Sequence, residues 1–225
     1  MLNDFSVLLP AAGLGTRLKS NKPKALTRFI DNEYLFQKQI DCINDSLGCP
    51  EIHYVCGFQH EKISKKIKKQ ANVIINERFE QTNVGYSLGL GLKQITSPNV
   101  LIIYGDLFFE EDTLNDIAAS GQCSWLMINQ ALDNDEVGCL DIDNRARNLD
   151  YGFSYKWSQI AYLKDKERQL YTKFATSPDN HKKLGFELMN QTIQNGGRFS
   201  VIESKNYLVD IDGGQDINKI NEYLE

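Results

Sequence analysis

Apolar residues fall in short blocks between polar stretches, and the spacing within each block predicts what it builds. Residues 5–10 are an apolar run closed by a glycine-rich turn, which fits a buried parallel strand better than so short a helix. Residues 34–43 put Leu35, Gln39 and Cys42 at helical spacing. A strand over 52–56, a helix over 61–69, a strand over 73–75 and a helix over 86–95 follow, and then an apolar strand over 100–104 that runs into Gly105 and Asp106. Strands alternating with helices imply an α/β fold: a Rossmann-like, mostly parallel sheet with helices on both faces.

After about residue 120 the rhythm changes. Residues 124–129, 137–142 and 157–163 read as strands with fewer helices between them, so this half is expected to be mixed or antiparallel sheet. Helices are expected over 165–174 and 182–194, strands over 199–203 and 209–211, and a closing helix over 215–224. Asn195, Gly196 and Gly197 supply the stop that the second of these helices needs. No repeat, low-complexity tract or Pro-rich linker divides the chain, so residues 1–225 are expected to form one domain with two halves that meet near residue 120.

Charge narrows the partners. The formal net charge is -5, so the chain lacks the broad positive field that duplex nucleic acid or an anionic membrane would reward. Lys62, Lys65, Lys66, Lys68 and Lys69 form a basic run, but Ile63 and Ile67 at helical spacing make it the solvated face of a helix. No window approaches the roughly 20 apolar residues of a membrane span, and the Met-Leu-Asn-Asp start lacks a signal peptide's basic and apolar regions. A cytoplasmic protein is expected, with no nucleic-acid or membrane partner. Five cysteines without a Cys-x-x-Cys pair read as free thiols, most of them buried.

The candidate chemistry sits in the turn after the first strand, Leu9-Pro10-Ala11-Ala12-Gly13-Leu14-Gly15-Thr16-Arg17, and in Lys22-Pro23-Lys24 beyond it. Small residues let backbone N–H groups approach an anion at the end of a parallel strand, where open α/β sheets bind ligands. Arg17 offers a planar fork suited to phosphate, and Lys24 a point charge behind a turn-fixing proline. A dinucleotide-binding turn would want Gly or Ala at Leu18 and an acidic residue near Gly57 and Phe58, and a P-loop would want Gly-Lys-Ser/Thr. The remaining alternative is a tight turn that carries two exposed cations and no ligand.

With Thr-Arg and Pro-Lys at this spacing, the sequence resembles the sugar-phosphate nucleotidyltransferase superfamily, whose signature is Gly-x-Gly-Thr/Ser-Arg followed by Pro-Lys. Gly57-Phe58, Gly105-Asp106 and Asp210-Ile211-Asp212 with Asp216 extend the likeness along the chain. The stretch 76–88, with Asn83 and Tyr86-Ser87, together with 210–224, is similar to CTP:phosphocholine cytidylyltransferases and their capsule-pathway relatives. The resemblance implies a GT-A-like fold with a nucleotide-binding first half and an acceptor-binding second half, as a monomer or homodimer. It implies Mg²⁺ as cofactor and transfer of NMP, with CTP favoured as the NTP, to a small phosphorylated acceptor such as phosphocholine. Turnover would then feed the biosynthesis of a cell-surface polysaccharide. By the same resemblance Arg17 would hold the β- and γ-phosphates, and Lys24 would bridge the attacking and α-phosphates. Leu9, Ala11, Ala12, Gly13, Gly15, Thr16 and Gly105 would line the nucleotide, with Gln81, Asn83 and Ser87 as polar neighbours of the base; Asn83 favours CTP.

Such a transfer brings one anion up to another, so the protein must supply positive charge and alignment. A phosphomonoester has its second pKa near ~6 and needs no strong base, so His53, His60 and His181 are read as surface or structural residues. Asp106 ends an apolar strand at the ligand edge of the sheet and is a natural Mg²⁺ ligand, with Asp212 as the second. Strand alternation leaves Asp210 as a substitute for Asp212, and either Asp212 or Asp216 could instead cap the last helix. Tyr151, Phe153, Tyr155, Trp157 and Tyr162 are expected to alternate along a strand, and Tyr151, Tyr155 and Trp157 could then meet a quaternary ammonium. Glu187, after Phe186, is the remaining acceptor candidate. Two alternatives stand beside this reading: transfer from UTP, GTP or dTTP to a sugar 1-phosphate, and a catalytically silent NTP-binding homologue. The second would have let Arg17, Lys24, Asp106 or Asp212 decay, and all four are present.

Overall fold

The computed structural model describes residues 2–15, 21–130 and 136–225. Strand β1 (Phe5–Ala11) lies at the centre of the sheet and pairs in parallel with β4 (Asn99–Ile103) on one side and β2 (Glu51–Cys56) on the other, with β3 (Asn72–Ile75) beyond β2. Val7, Leu8 and Leu9 are fully buried, so β1 is covered on both faces and its unbroken apolar run follows. Helices α1 (Leu35–Leu47), α2 (His60–Ile67) and α3 (Val84–Gln94) form the crossovers between these strands. Gly48, at φ 74°, stops α1 in the left-handed conformation that only glycine adopts without strain. Lys62, Lys65 and Lys66 lie on α2, where Ile63 and Ile67 are fully buried and the lysines stay outside, while Lys68, at φ 53°, ends the helix two residues short of the expected 69. Each isoleucine contributes roughly 1.5–3 kcal/mol of burial, which is enough to fix the face.

The second half is mixed sheet, as expected. Strand β9 (Tyr155–Leu163) runs antiparallel to β4 and to β6 (Trp125–Gln130), and β10 (Ser200–Glu203) lies parallel to β6 at the edge. A hairpin of β7 (Val137–Asp141) and β8 (Ala146–Tyr151) leans on β9. Helices α5 (Asp165–Ala175), α6 (Gly185–Gln194) and α7 (Gly214–Leu224) match expectation closely. Among the described residues no helix is long and apolar enough to cross a membrane.

Three elements escaped the pattern. Strand β5 (Leu107–Phe109) merges in sequence with β4, yet it leaves the main sheet to pair antiparallel with β11 (Leu208–Asp210). Helix α4 (Glu111–Ala118) is short and buries only Thr113, Leu114 and Ile117. Strand β8 is mostly polar, with only Ala146 and Leu149 buried, so apolar periodicity does not mark it. The aromatic series therefore does not lie on one strand. Tyr151 ends β8, the chain turns at Gly152 (φ 83°), and Tyr155 and Trp157 begin β9. A register shift opposite Leu126 and Ile128, with Gln159 at φ 59°, breaks the alternation again. Tyr162 ends up fully buried and stacked on Trp125.

Candidate active site

A cavity of about 830 Å³ opens where β1 and β4 end, and the glycine turn forms its floor. Gly15 takes φ 62°, and a side chain there would press within 3.1 Å of the Lys24 stem, so the turn closes over that lysine. Gly105 allows the end of β4 to touch β1: a Cβ would lie 2.4 Å from that of Ala11, and its N–H donates to the Pro10 carbonyl. Thr16 and Arg17 lie outside the described residues.

Pro23, at φ -57°, starts a short 3-10 turn over Lys24–Leu26 and aims Lys24 into the cavity. The Lys24 ammonium donates to Asp106 Oδ2 at 3.1 Å and to Asp212 Oδ1 at 3.0 Å, so the two carboxylate oxygens lie within about 6 Å of each other. Pairing of β11 with β5 accomplishes this. The Ile211 N–H donates to the Asp106 carbonyl at 2.9 Å, one step past the Asp210–Leu107 pair. Asp216 Oδ2 accepts from the N–H groups of Asp212 and Gly213 at 2.9 and 2.8 Å. Asp216 is therefore the residue that satisfies the start of α7, and the Asp212 carboxylate is turned to the cavity.

Burial works against charge on Lys24, but Asp106 and Asp212 outweigh it and hold its pKa above the ordinary 10.5. Burial pushes the Asp106 carboxyl above its usual range; Lys24 offsets part of this, and Asp210 and Asp212 add to it. Asp210 belongs to a different pair. Its carboxylate accepts from Lys156 and, at 3.3 Å, from Gln159, while Lys156 also donates to Glu136 at 2.6 Å. Lys156 is only 7% exposed; its burial is outweighed by Asp210 and Glu136, which hold its pKa high as well. The cavity thus contains two lysines, each clamped by two acids.

On the side of β2 and β3, Ala11, Ala12 and Gly13 face Asn76, Asn83 and Ser87. Asn83 caps α3, its Oδ1 accepting from the Val84 N–H at 3.0 Å. Leu9, expected here, is fully buried within β1, because β1 is covered on both faces and only its C-terminal end reaches the cavity. Gln81 is not among the cavity's lining residues but lines an adjoining depression with Arg78 and Lys182, which shares Thr82 and Asn83 with the cavity. On the opposite side Tyr151, Trp157 and Phe186 line the cavity, with Tyr151 and Phe186 edge to face at 5.9 Å. Tyr155 is 40% exposed and outside the lining, since the turn at Gly152 reverses the chain before it. Glu187 is used locally, as its carboxylate accepts from the Leu184 N–H at 2.7 Å and caps α6. None of the three histidines lines the cavity, and His181 packs its ring on Tyr86.

Sequence reading missed Asn76, Glu136, Lys156 and Gln159. Signals existed for two of them. Lys156 is a lone cation inside an apolar strand, and Asn76 is the first polar residue after β3, at the ligand edge of the sheet.

The chain is similar to known proteins in sequence and in fold. The chain is 31% identical over 139 residues to the bifunctional protein GlmU of Ruthia magnifica subsp. Calyptogena magnifica, covering 60% of this chain and 29% of that protein. It is 35% identical over 104 residues to the GlmU of Pseudoalteromonas atlantica, covering 45% and 22%. The chain thus spans less than a third of the length of these curated relatives. Among solved structures, the CTP:phosphocholine cytidylyltransferase of Streptococcus pneumoniae (LicC) superposes with a TM-score of 0.80 at 20% identity, covering 99% of this chain and 100% of that one. The inositol-1-phosphate CTP transferase of T. maritima gives 0.80 at 19% identity, with 97% and 94% covered. A UDP-glucose pyrophosphorylase complexed with UDP-glucose gives 0.75 at 14%, with 100% and 98% covered. The fold is therefore the GT-A-like α/β fold of nucleotidyltransferases. Residues 7–132, more than half of the sequence, match the MobA-like NTP transferase domain, and the chain belongs to that family.

Proposed function

We propose that the chain is a Mg²⁺-dependent cytidylyltransferase that moves CMP from CTP to a small phosphomonoester such as phosphocholine and releases pyrophosphate. The observation that carries this reading is the convergence of Asp106 and Asp212 on Lys24 beside the glycine turn. The donor set suits magnesium: two carboxylates, hard oxygen ligands only, close enough for one octahedral ion after a small side-chain adjustment. Bound there, Mg²⁺ would neutralise charge on the triphosphate.

Lys24 holds the developing charge between the attacking phosphate and the α-phosphate, in line with the departing pyrophosphate. Arg17 takes the β- and γ-phosphates, as the family resemblance implies. The end of β1 presents backbone to the base, with Asn83 and Ser87 as its polar neighbours. Tyr151, Trp157 and Phe186 give the acceptor an aromatic wall suited to a quaternary ammonium. The acceptor phosphate is already ionised at neutral pH, so no histidine is needed.

A panel of CTP, UTP, GTP and dTTP against phosphocholine, glycerol phosphate and sugar 1-phosphates, read by pyrophosphate release with Mg²⁺, tests the reading. CTP with an alcohol or amine phosphate is the expected pair. Turnover confined to sugar 1-phosphates with another NTP would replace it with the sugar-nucleotide reading.

A further inference from the structure

Gln39 lies on α1 and is 1% exposed, among buried apolar residues of the same helix such as Phe36, Ile40 and Ile43. Its side-chain amide donates to the Tyr104 carbonyl at 3.1 Å and to the Leu107 carbonyl at 2.8 Å. Those two residues bracket Gly105 and Asp106, and the Leu107 N–H closes the turn on the Tyr104 carbonyl at 3.3 Å. A carbonyl can only accept, so the NH₂ end of the side chain is the end that faces the turn, and both of its hydrogens are used there. The other end, Oε1, finds no hydrogen-bond partner among the described residues. A buried acceptor left unmatched costs stability, and an apolar residue of similar size, such as Met, would avoid that cost. What glutamine provides at this position is the pair of bonds to the turn.

The same helix holds the other side of the site. The Leu35 N–H, one helical turn before Gln39, donates to the Thr27 carbonyl at 3.0 Å, and the Thr27 N–H closes the short turn of Lys24 on the Lys24 carbonyl at 2.9 Å. Helix α1 is thus tied to the Lys24 segment and to the Asp106 segment, whose side chains meet at 3.1 Å. We infer that Gln39 is a positioning residue for the metal site: its amide ties the turn that carries Asp106 to the helix that also anchors the Lys24 segment, and so holds the Asp106 carboxylate where it can share one ion with Asp212. This rests on the nucleotidyl-transfer reading and deepens it. Gln39 lies outside the cavity lining and acts through Asp106. Magnesium demands near-ideal octahedral geometry with oxygens at about 2.0–2.1 Å, so a small drift of the Asp106 turn weakens the hold on the ion before it alters the walls that meet the base or the acceptor.

The test is calorimetric binding of CTP to the full chain and to Gln39→Met, once with Mg²⁺ and once in EDTA. The unaltered protein should bind CTP about tenfold or more tighter with Mg²⁺ than in EDTA. Gln39→Met keeps the volume and removes the donors, and should weaken binding about tenfold with Mg²⁺ and less than about twofold in EDTA. A folded variant that binds CTP with Mg²⁺ as the unaltered protein does overturns the inference and leaves the transferase reading intact. Equal weakening with and without Mg²⁺ does the same, because it marks a general distortion of the cavity. If Gln39→Met fails to fold, as judged by circular dichroism, Gln39→Asn, with its amide on a stem one methylene shorter, is measured in its place against the same criterion. Failure of both variants to fold makes Gln39 a core residue only and overturns the inference. An unaltered protein that binds CTP equally with and without Mg²⁺, or not at all, overturns the metal-dependent reading and the inference together.

Discussion

The backbone N–H of Ile211 donates to the carbonyl of Asp106 at 2.9 Å, and this bond sets where the Asp212 carboxylate falls. It extends the short β5–β11 ladder past Asp210, so the residue between β4 and β5 and the residue just before the last helix meet at one point. Lys24 bridges their side chains. Removing that lysine should leave the two facing carboxylates without the ammonium that lies between them. Lys24→Met is expected to lower turnover by about 10²-fold or more. It should also gain more thermal stability from Mg²⁺ than the unaltered protein does. Pyrophosphate release and thermal melts with and without Mg²⁺ check the two effects.

Gly105 lies where β4 touches β1, and a methyl group there would meet Ala11 at 2.4 Å. Gly105→Ala is expected to cost about 1–3 kcal/mol by overpacking. Gly13→Ala provides the contrast, because nothing lies within 4 Å of a Cβ at that position. Urea denaturation of the two variants should separate them, with the Gly13 variant close to the unaltered protein.

Most of the first half was legible in the sequence because its strands are buried on both faces and its helices carry one apolar stripe. Unbroken runs such as Val7-Leu8-Leu9 and the pair Ile63 and Ile67 each have one stable placement. The metal candidates were legible for a related reason, since Asp106 lies just past the apolar run of β4 and the ligand edge of a parallel sheet follows from topology. Choosing Asp212 over Asp210 was beyond periodicity. The choice depends on Lys156, whose ammonium occupies Asp210, and on Asp216, which takes the α7 capping position. The expected alternation of the aromatic residues along one strand failed where a turn at Gly152 and a register shift in β9 intervene, and backbone irregularities of that kind leave little trace in residue type. Glu187 shows the same limit: a helix carboxylate three residues after an N-cap reads alike whether it caps or binds ligand.

The thiols divide by burial. Cys42, Cys56 and Cys139 are buried, and burial pushes each to about 12, whereas Cys49 and Cys123 are exposed. A thiolate-selective reagent at pH 8 should titrate two thiols rapidly in the folded protein and all five after denaturation. Rapid reaction of three or more in the folded state would contradict this placement.

Lys156 has a pKa above the ordinary 10.5 once folded, through Asp210 and Glu136 acting against burial. A cation whose folded pKa is raised contributes stability that is fully present below its unfolded pKa and is lost as pH rises through its folded pKa. The unfolding free energy of the unaltered protein should therefore fall more steeply above pH 10.5 than that of Lys156→Met. Denaturant titrations at a series of alkaline pH values measure both slopes.

The claim that Asp106 and Asp212 together hold one divalent ion beside the nucleotide is tested most directly with Mn²⁺ in place of Mg²⁺. The measurement is the water-proton relaxation enhancement of the protein with CTP and Mn²⁺, for the unaltered chain and for Asp106→Asn and Asp212→Asn. The expected result is a strong enhancement from a slowly tumbling protein–Mn²⁺–CTP complex, lost in both variants at the same metal concentration. An enhancement that survives unchanged in either variant would contradict the shared site.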